Sequence, residues 1–333
     1  MPLLTPLQSA ACSSLLTLSY VGGLYISAST RVGSLVPASS ADVGADDTPA
    51  SAAADAAPRR RGKNDEDVVY ARLRTVGIVS VAGVGATIAV LWQAGAARES
   101  RPFFRLLSLL SALGMPLPTP SLLTSSAPFE PSLSSYLLSG LRSIGYALGL
   151  TATLYTGPLL VSGLDEELPG QKEFEYKRDV RGKWDNVWGL RNYVVGPLTE
   201  EVIFRGCILA LTAAAGAKGG VMIFATPLYF AIAHVHHAYE TYLDSGKTRE
   251  GLVRGVTHAS IQFAYTCIFG WYANFLHLRT GNLLAPLTAH VFCNIMGLPN
   301  PAGASKRHMQ RKGAIYAAHL VGIVGFAWGI AAL

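Results

Sequence analysis

Charged residues are scarce in this sequence, since only 14% of its 333 residues are Asp, Glu, Lys or Arg. Soluble domains average about 25% charged residues. Half of the chain is hydrophobic, and its apolar residues form long runs rather than alternating with polar ones. Backbone groups inside a bilayer can be satisfied only in helices or closed barrels. The sequence therefore predicts an all-α, polytopic membrane helix bundle.

Cysteine is also rare, with four residues that lie far apart and in apolar stretches. This spacing argues against a disulfide framework and against a cysteine-based zinc cluster. Small buried packing residues are the remaining interpretation. The four are Cys12, Cys207, Cys267 and Cys293.

Three further features are missing. No internal repeat is present, although transporters often contain one. No basic residue precedes the first apolar run, as it would in a secretory signal, so we expect a retained transmembrane helix. The net charge of +6 is not gathered in one patch but spread over the loops, which argues against a nucleic-acid partner and is typical of membrane topology.

Eight apolar runs are predicted to cross the bilayer. The first lies within residues 1–36, an Ala/Ser/Pro-rich and disordered loop follows at residues 37–67, and residues 68–333 form the membrane-embedded helical catalytic bundle. Residues 103–113 either span, lie flat on the membrane or form a loop. The eight predicted spans are residues 8–28, 76–92, 133–161, 193–215, 221–234, 256–276, 283–298 and 314–333.

Basic residues concentrate in the loops after the first, third, fifth and seventh runs. The positively charged side of a membrane protein is normally cytosolic, so we expect these four loops in the cytosol and both termini opposite. Glu200 begins the fourth run and His234 ends the fifth. Both are therefore expected toward the cytosolic leaflet.

Ionisable residues at membrane depth usually mark a pathway or a reaction site, and the first such cluster follows Pro197. Adjacent Glu200 and Glu201 point about 100° apart on a helix, so we expect that they do not face one reactant together. Glu201 and Arg205 are four residues apart and can pair. Glu200 is then free to act as a general base; the alternative is a structural ion-pair network.

A second cluster is rich in histidine. His234 and His237 share a helical face, while His236 is spaced to pair with Glu240. We select His234 as the partner of the general base because it is the most deeply placed, with His237 in support. The alternative is a histidine-rich helix end at the membrane surface.

In the third cluster, His290 and Asn294 lie on one helical face and can converge on one atom. Both side chains can donate hydrogen bonds, as an oxyanion site requires. The alternative is that they join helices by hydrogen bonds within the membrane.

These clusters belong to a longer series of motifs in which the sequence resembles the type II CAAX prenyl endopeptidases, the Ras-converting enzymes of the endoplasmic reticulum. The similarity is densest between residues 191 and 297. The motifs are Ser19-Tyr-Val-Gly-x-Leu-Tyr25, Arg191-Asn192, Pro197-Leu-Thr-Glu-Glu-x-x-Phe-Arg205, Ala233-His-x-His-His237, Gln262-Phe-x-Tyr265, Arg279-Thr-Gly281 and His290-x-Phe-Cys-Asn294.

The resemblance implies a multi-pass glutamate protease of the endoplasmic reticulum membrane, with its site toward the cytosol and without metal or cofactor. It would remove the last three residues of prenylated CAAX proteins such as Ras-like small GTPases. The implied roles are water activation by Glu200 with His234, oxyanion stabilisation by His290 and Asn294, and orientation of the site by Glu201 and Arg205.

Three other functions stay open. Glu200, His234 and His290 have the ligand types of a His₂Glu zinc site with an open position for water, although no His-Glu-x-x-His motif occurs. A transporter would use the same groups as a proton relay. A non-catalytic binding or immunity protein is disfavoured by the presence of Glu200.

Overall fold

The computed structural model describes residues 2–32, 35–36, 59–97, 101–117 and 133–332. Helices dominate these residues, and the predicted all-α membrane bundle is confirmed. The β-structure of this part of the chain is one antiparallel bridge that joins Leu35–Val36 to Arg59–Arg60. Most of the loop predicted to be disordered, residues 37–58, lies outside the described residues.

The described residues up to Leu164 form five helices. α1 begins with a reciprocal cap, in which the Thr5 hydroxyl accepts from the Gln8 amide at 3.2 Å and the Gln8 side chain accepts from the Thr5 amide at 2.8 Å. Such capping boxes satisfy two otherwise unpaired donors. The helices are α1 Pro6–Ile26, α2 Glu66–Gln93, α3 Pro102–Ala112, α4 Leu133–Leu154 and α5 Thr156–Leu164, and α4 meets α5 at a bend of 69°.

The short helix α3 settles one open question. Its 11 residues measure about 16 Å at 1.5 Å per residue, whereas the hydrocarbon core is about 30 Å thick. α3 is therefore too short to span. Leu109 of α3 and Leu113, the residue after its end, are fully buried, while Phe103 is exposed. One face of this segment therefore packs against the rest of the bundle.

The segment that carries the two glutamates alternates between two helical forms. It runs through a π-helical turn at Leu190–Val195, α6 Gly196–Glu201, a second π-helical turn at Val202–Cys207 and α7 Ile208–Ala214. In the π turns an amide bonds to the carbonyl five residues earlier, as from Gly196 to Arg191 and from Ile208 to Ile203. Such turns are rare and frequently occur at functional sites. Another π turn at Lys177–Arg181 and short α-helical turns at Gly182–Trp184 and Val187–Gly189 precede the segment.

Seven more helices complete the bundle. α11 begins where the Thr248 hydroxyl accepts from the Gly251 amide, and it ends at Gly281, which has a left-handed φ of 63° that glycine adopts without steric cost. A 3₁₀ turn at Met309–Arg311 precedes the last helix. The helices are α8 Gly219–Phe224, α9 Pro227–Ala233, α10 His236–Asp244, α11 Arg249–Thr280, α12 Leu284–Met296, α13 Pro301–Arg307 and α14 Lys312–Ala331.

Fewer stretches than predicted are long and apolar enough to cross a bilayer. The described residues contain four, or five if the bent pair α4–α5 is one span, so the predicted count of eight is not confirmed. The difference arises at the candidate site, because polar residues lower the hydropathy of α11 and because α12 has only 13 residues. The four are Pro6–Ile26, Glu66–Gln93, Gly219–Asp244 and Met309–Ala331.

Contacts join the loops that are predicted to share a side. Trp188 donates to the Asn64 carbonyl at 3.0 Å, which links the third loop to the first. Arg307 donates to Asp165 at 2.6 Å, which links the seventh loop to the third. At the other end of the bundle, the Leu283 amide donates to the Gly114 carbonyl at 2.8 Å and links the sixth loop to the second. These contacts follow the alternation that the loop charges predict.

The glutamate-bearing segment lies in the centre of the main hydrophobic core. Phe204 packs edge-on against Tyr20 of α1 and Phe230 of α9, with ring centroids 5.7 and 5.1 Å apart. Cys207 and Ile208 of the same segment are fully buried. Close packing of this kind fixes the position of the polar side chains that the segment presents.

Candidate active site

One cavity of about 1380 Å³ collects the predicted catalytic residues. Glu200 enters it from α6, His234 from the residue after α9, and His290 and Asn294 from α12; the supporting residue His237 also lines it. Ligand sites commonly measure about 300–1,000 Å³. The cavity is therefore large enough for more than a small molecule.

The predicted pairing of Glu201 with Arg205 is present. A guanidinium nitrogen lies 3.2 Å from the carboxylate, and both side chains are only 1% exposed. The guanidinium carbon also lies 4.4 Å from the ring centroid of Phe230 and 5.5 Å from that of Phe269, distances at which a cation and an aromatic face attract. The buried charge of Arg205 is thus compensated by one carboxylate and two rings.

His290 connects the two glutamates. Its Nδ1 lies 2.7 Å from a Glu201 oxygen, and its Nε2 lies 3.6 Å from a Glu200 oxygen. The divergence of adjacent glutamates does not prevent both from facing one group, because the two imidazole nitrogens also diverge. Glu201 is ionised beside Arg205 and accepts, so the Nδ1 of His290 carries a proton.

Glu200 and Glu201 differ in their access to the cavity. The Glu200 side chain is 21% exposed and Glu201 only 1%. Beside Glu200, the hydroxyls of Thr199 and Tyr20 are 2.9 Å apart. Tyr20 lines the cavity from α1, a position that residue spacing alone does not indicate. The available signal was its position in the first-span motif, residues 19–25.

The imidazole of His234 has a defined orientation. Its Nδ1 lies 2.8 Å from the Phe230 carbonyl. A carbonyl only accepts hydrogen bonds, so Nδ1 is the donor and Nε2 is the unprotonated nitrogen of the neutral ring. The Phe230 ring lies 4.6 Å from the His234 ring and 6.4 Å from the His290 ring, measured between centroids. Phe230 thus packs against both histidines.

Asn294 uses one of its donors within the protein. Its Nδ2 donates to the Asn192 carbonyl at 2.8 Å. This contact joins α12 to the π turn at Leu190–Val195. An amide nitrogen carries two hydrogens, so the second N–H is the one that an oxyanion would engage.

The predicted pairing of His236 with Glu240 is wrong. His237 is the partner, with its Nδ1 3.0 Å from Glu240, and Arg72 of α2 lies 2.5 Å from the other carboxylate oxygen. The physical reason is that the His236 ring is directed back to the preceding turn, where its Nδ1 lies 2.5 Å from the Ala233 carbonyl. Arg72 is 168 residues away in sequence, so no local spacing indicates it.

Possible metal ligands gather beside the predicted zinc residues rather than at them. In the described part of the chain, the set that lies close enough to share an ion is His236, His237 and Glu240, whose ligand atoms lie within 4.8 Å of one another. Both oxygens of Glu240 already contact Arg72 or His237. An ion at this place would therefore have to compete with these contacts.

Comparison with known proteins matches the same region. A family profile described as "Type II CAAX prenyl endopeptidase Rce1-like" covers residues 182–296. These residues include the two π turns and every predicted catalytic residue. No solved structure matches the chain.

The curated relatives named "CAAX prenyl protease 2" include proteins from Arabidopsis thaliana, Homo sapiens and Caenorhabditis elegans. The Arabidopsis thaliana protein is 38% identical over 201 residues, which cover 56% of this chain and 61% of the relative. The Homo sapiens protein is 37% identical over 194 residues, covering 55% and 57%. The Caenorhabditis elegans protein is 32% identical over 187 residues, covering 56% and 67%. The chain thus matches about 60% of the length of these relatives, and it belongs to the type II CAAX prenyl endopeptidase family.

Proposed function

We propose that the chain is an intramembrane endopeptidase that removes the C-terminal aaX tripeptide from prenylated CAAX proteins, Ras-like small GTPases among them. The observation that carries the proposal is the access of one cavity to four groups from three separate elements: Glu200, His234, His290 and Asn294. The names of the relatives and the matched family profile support the same activity.

In the proposed reaction Glu200 and His234 activate water. They take its proton while its oxygen attacks the scissile carbonyl carbon, and the negative charge passes to the carbonyl oxygen. The carbon–nitrogen bond then breaks, the abstracted proton goes to the leaving amine of the tripeptide, and the prenylated cysteine keeps the new carboxylate. General base catalysis of this kind contributes about 10²–10⁴-fold.

The oxyanion is stabilised by His290 and Asn294. Because the Nδ1 of His290 donates to Glu201, its Nε2 can donate only when the ring is doubly protonated. The carboxylates of Glu201 and Glu200 lie 2.7 and 3.6 Å from its two nitrogens. Asn294 supplies a neutral donor one helical turn further along α12. An oxyanion donor is worth about 10²–10³-fold in turnover.

The remainder of the cavity fits a lipid-bearing substrate. Most of the surface that lines it is apolar, and Phe224, Trp271 and Phe326 contribute to this surface. Burial of apolar surface contributes about 25 cal/mol per Å², so a prenyl chain would be held there without polar contacts. We place the protein in the endoplasmic reticulum membrane, with the loops that contain Asn64 and Trp188 in the cytosol because these loops are rich in basic residues.

The test is release of the tripeptide from a farnesylated CAAX peptide by purified protein in detergent. We expect Glu200→Gln to lower turnover by about 10²–10⁴-fold, with unchanged thermal unfolding. Glu250→Gln is the matched control, because Glu250 is an exposed glutamate of α11 outside the cavity lining. Absence of tripeptide release by the wild type, or near-normal turnover by Glu200→Gln, would overturn the proposal.

A chelator arm separates this mechanism from the zinc alternative. We expect turnover to survive prolonged incubation with a strong chelator that is kept in the assay. Loss of turnover that zinc restores would favour a metal-dependent reaction by Glu200, His234 and His290.

A further inference from the structure

One cation in the lining of the catalytic cavity is Arg191. Its guanidinium contacts two neutral amide oxygens, that of Asn192 at 3.0 Å and that of Asn64 at 3.1 Å. Among the described residues, no carboxylate oxygen lies within 4.0 Å of its guanidinium. Arg72 also lines the cavity, but its charge is met by Glu240 at 2.5 Å.

The two residues that contact Arg191 are themselves held by hydrogen bonds. The Asn64 carbonyl accepts from Trp188 at 3.0 Å, which holds this residue against the start of the glutamate-bearing segment. The Asn192 carbonyl accepts from Asn294 at 2.8 Å. The guanidinium is therefore anchored on both sides, and one anchor, Asn192, is itself held by the predicted oxyanion donor Asn294.

The helix rise expected between Arg191 and Glu200 is similar in length to the proposed leaving group. Nine residues of α-helix rise about 13 Å, and the π turn between them shortens this distance. Three residues of extended chain span about 10 Å, and the arginine side chain closes the difference. A peptide bond placed at Glu200 would thus leave a free carboxylate three residues further on beside Arg191.

We propose that Arg191 binds the C-terminal α-carboxylate of the substrate and thereby sets the cleavage point three residues from the chain end. This inference rests on the proposed function. A planar guanidinium matches a carboxylate in two-point, charge-assisted hydrogen bonds. The amide oxygens of Asn64 and Asn192 orient the guanidinium without neutralising it, so its charge remains for the substrate.

The test compares two farnesylated CAAX peptides that differ only at the C-terminus, one with a free carboxylate and one with a carboxamide. A hydrogen bond to a charged group changes affinity by about 10- to 100-fold. We expect the wild type to prefer the carboxylate by this factor in kcat/KM. Arg191→Gln should bring the ratio close to one, whereas Arg191→Lys should retain part of the preference.

Arg181→Gln is the matched control, because Arg181 is exposed, pairs with Asp185 at 2.5 Å and lies outside the cavity lining. It should keep the wild-type ratio. Equal kcat/KM for both peptides in the wild type, or an unchanged ratio in Arg191→Gln, would overturn the inference and leave the proposed function intact. Cleavage of neither peptide by the wild type would instead reject the proposed function.

Discussion

The buried pair of Glu201 and Arg205 gives a prediction whose size follows from the structure. The charges are 3.2 Å apart, and each side chain is 1% exposed. Removal of one partner from a buried pair typically costs about 3–5 kcal/mol, because the other charge is left buried and uncompensated. Arg205→Met should therefore lower the free energy of unfolding by about this amount, with loss of the contacts to Phe230 and Phe269 included.

The double variant distinguishes pairing from packing. The double variant Glu201→Gln with Arg205→Met removes both charges of the pair. Its free energy of unfolding should therefore fall by less than the sum of the decreases in the two single variants, and the difference should be a few kcal/mol. The assay is denaturant unfolding in detergent micelles. Arg181 and Asp185 form a control pair with the same four-residue spacing, but their side chains are 66% and 57% exposed. Removal of one partner of this pair should lower the free energy of unfolding by about 0.5 kcal/mol or less.

Two results would refute this reasoning. A loss below about 1 kcal/mol for Arg205→Met would mean that the pair behaves like one on the surface. Strict additivity in the double variant would mean that Glu201 and Arg205 are not coupled.

Three further predictions concern contacts that sequence reasoning did not identify. Tyr20→Phe removes the hydroxyl beside Thr199 and should lower kcat/KM in the peptide assay by up to about tenfold, because one neutral hydrogen bond contributes about 0.5–1.5 kcal/mol; a loss above about 10²-fold would instead indicate a direct chemical role. Arg72→Met removes the arginine cation that contacts the fully buried Glu240 and should cost about 3–5 kcal/mol in denaturant unfolding; a neutral result would contradict the importance of this pair. In the exposed loop after α5, the hydrogen bond from Arg307 lowers the pKa of Asp165, assisted by His308. Its stabilisation is therefore present at neutral pH and lost as pH falls through the lowered pKa, so Asp165→Asn should lower the unfolding temperature near pH 7 and have less effect in acid; an equal effect at both pH values would count against it.

The general form of the fold was predictable because it depends on composition and local spacing. Long apolar runs indicate membrane helices whatever their partners, and the four-residue spacing of Glu201 and Arg205 predicts a pair on any helix. The loop charges predicted which loops lie together, and Asn64 does meet Trp188. The span count was less predictable, since the polar residues of a site reduce the hydropathy of the helices that carry them.

Details of the site escaped prediction where they depend on distant contacts or on helix type. Arg72 reaches Glu240 across 168 residues of sequence, and the sequence contains nothing local that joins them. The convergence of Glu200 and Glu201 on His290 requires knowledge of where α12 packs. The pairing of Glu240 with His237 depends on the contact of the His236 ring with the Ala233 carbonyl, and residue spacing alone does not indicate that contact.

The two π turns that flank the glutamates have a consequence for how the family can vary. Each turn holds one residue more than an α-helical turn would, so the direction of the Glu200 carboxylate depends on chain length as well as on side-chain identity. Loss of a single residue from Leu190–Val195 would convert that turn to α-helix and swing everything before it by about 100° relative to the glutamates. The additional residue keeps Arg191 and Glu200 in the lining of the same cavity. Insertions and deletions should therefore be far rarer in this segment than substitutions.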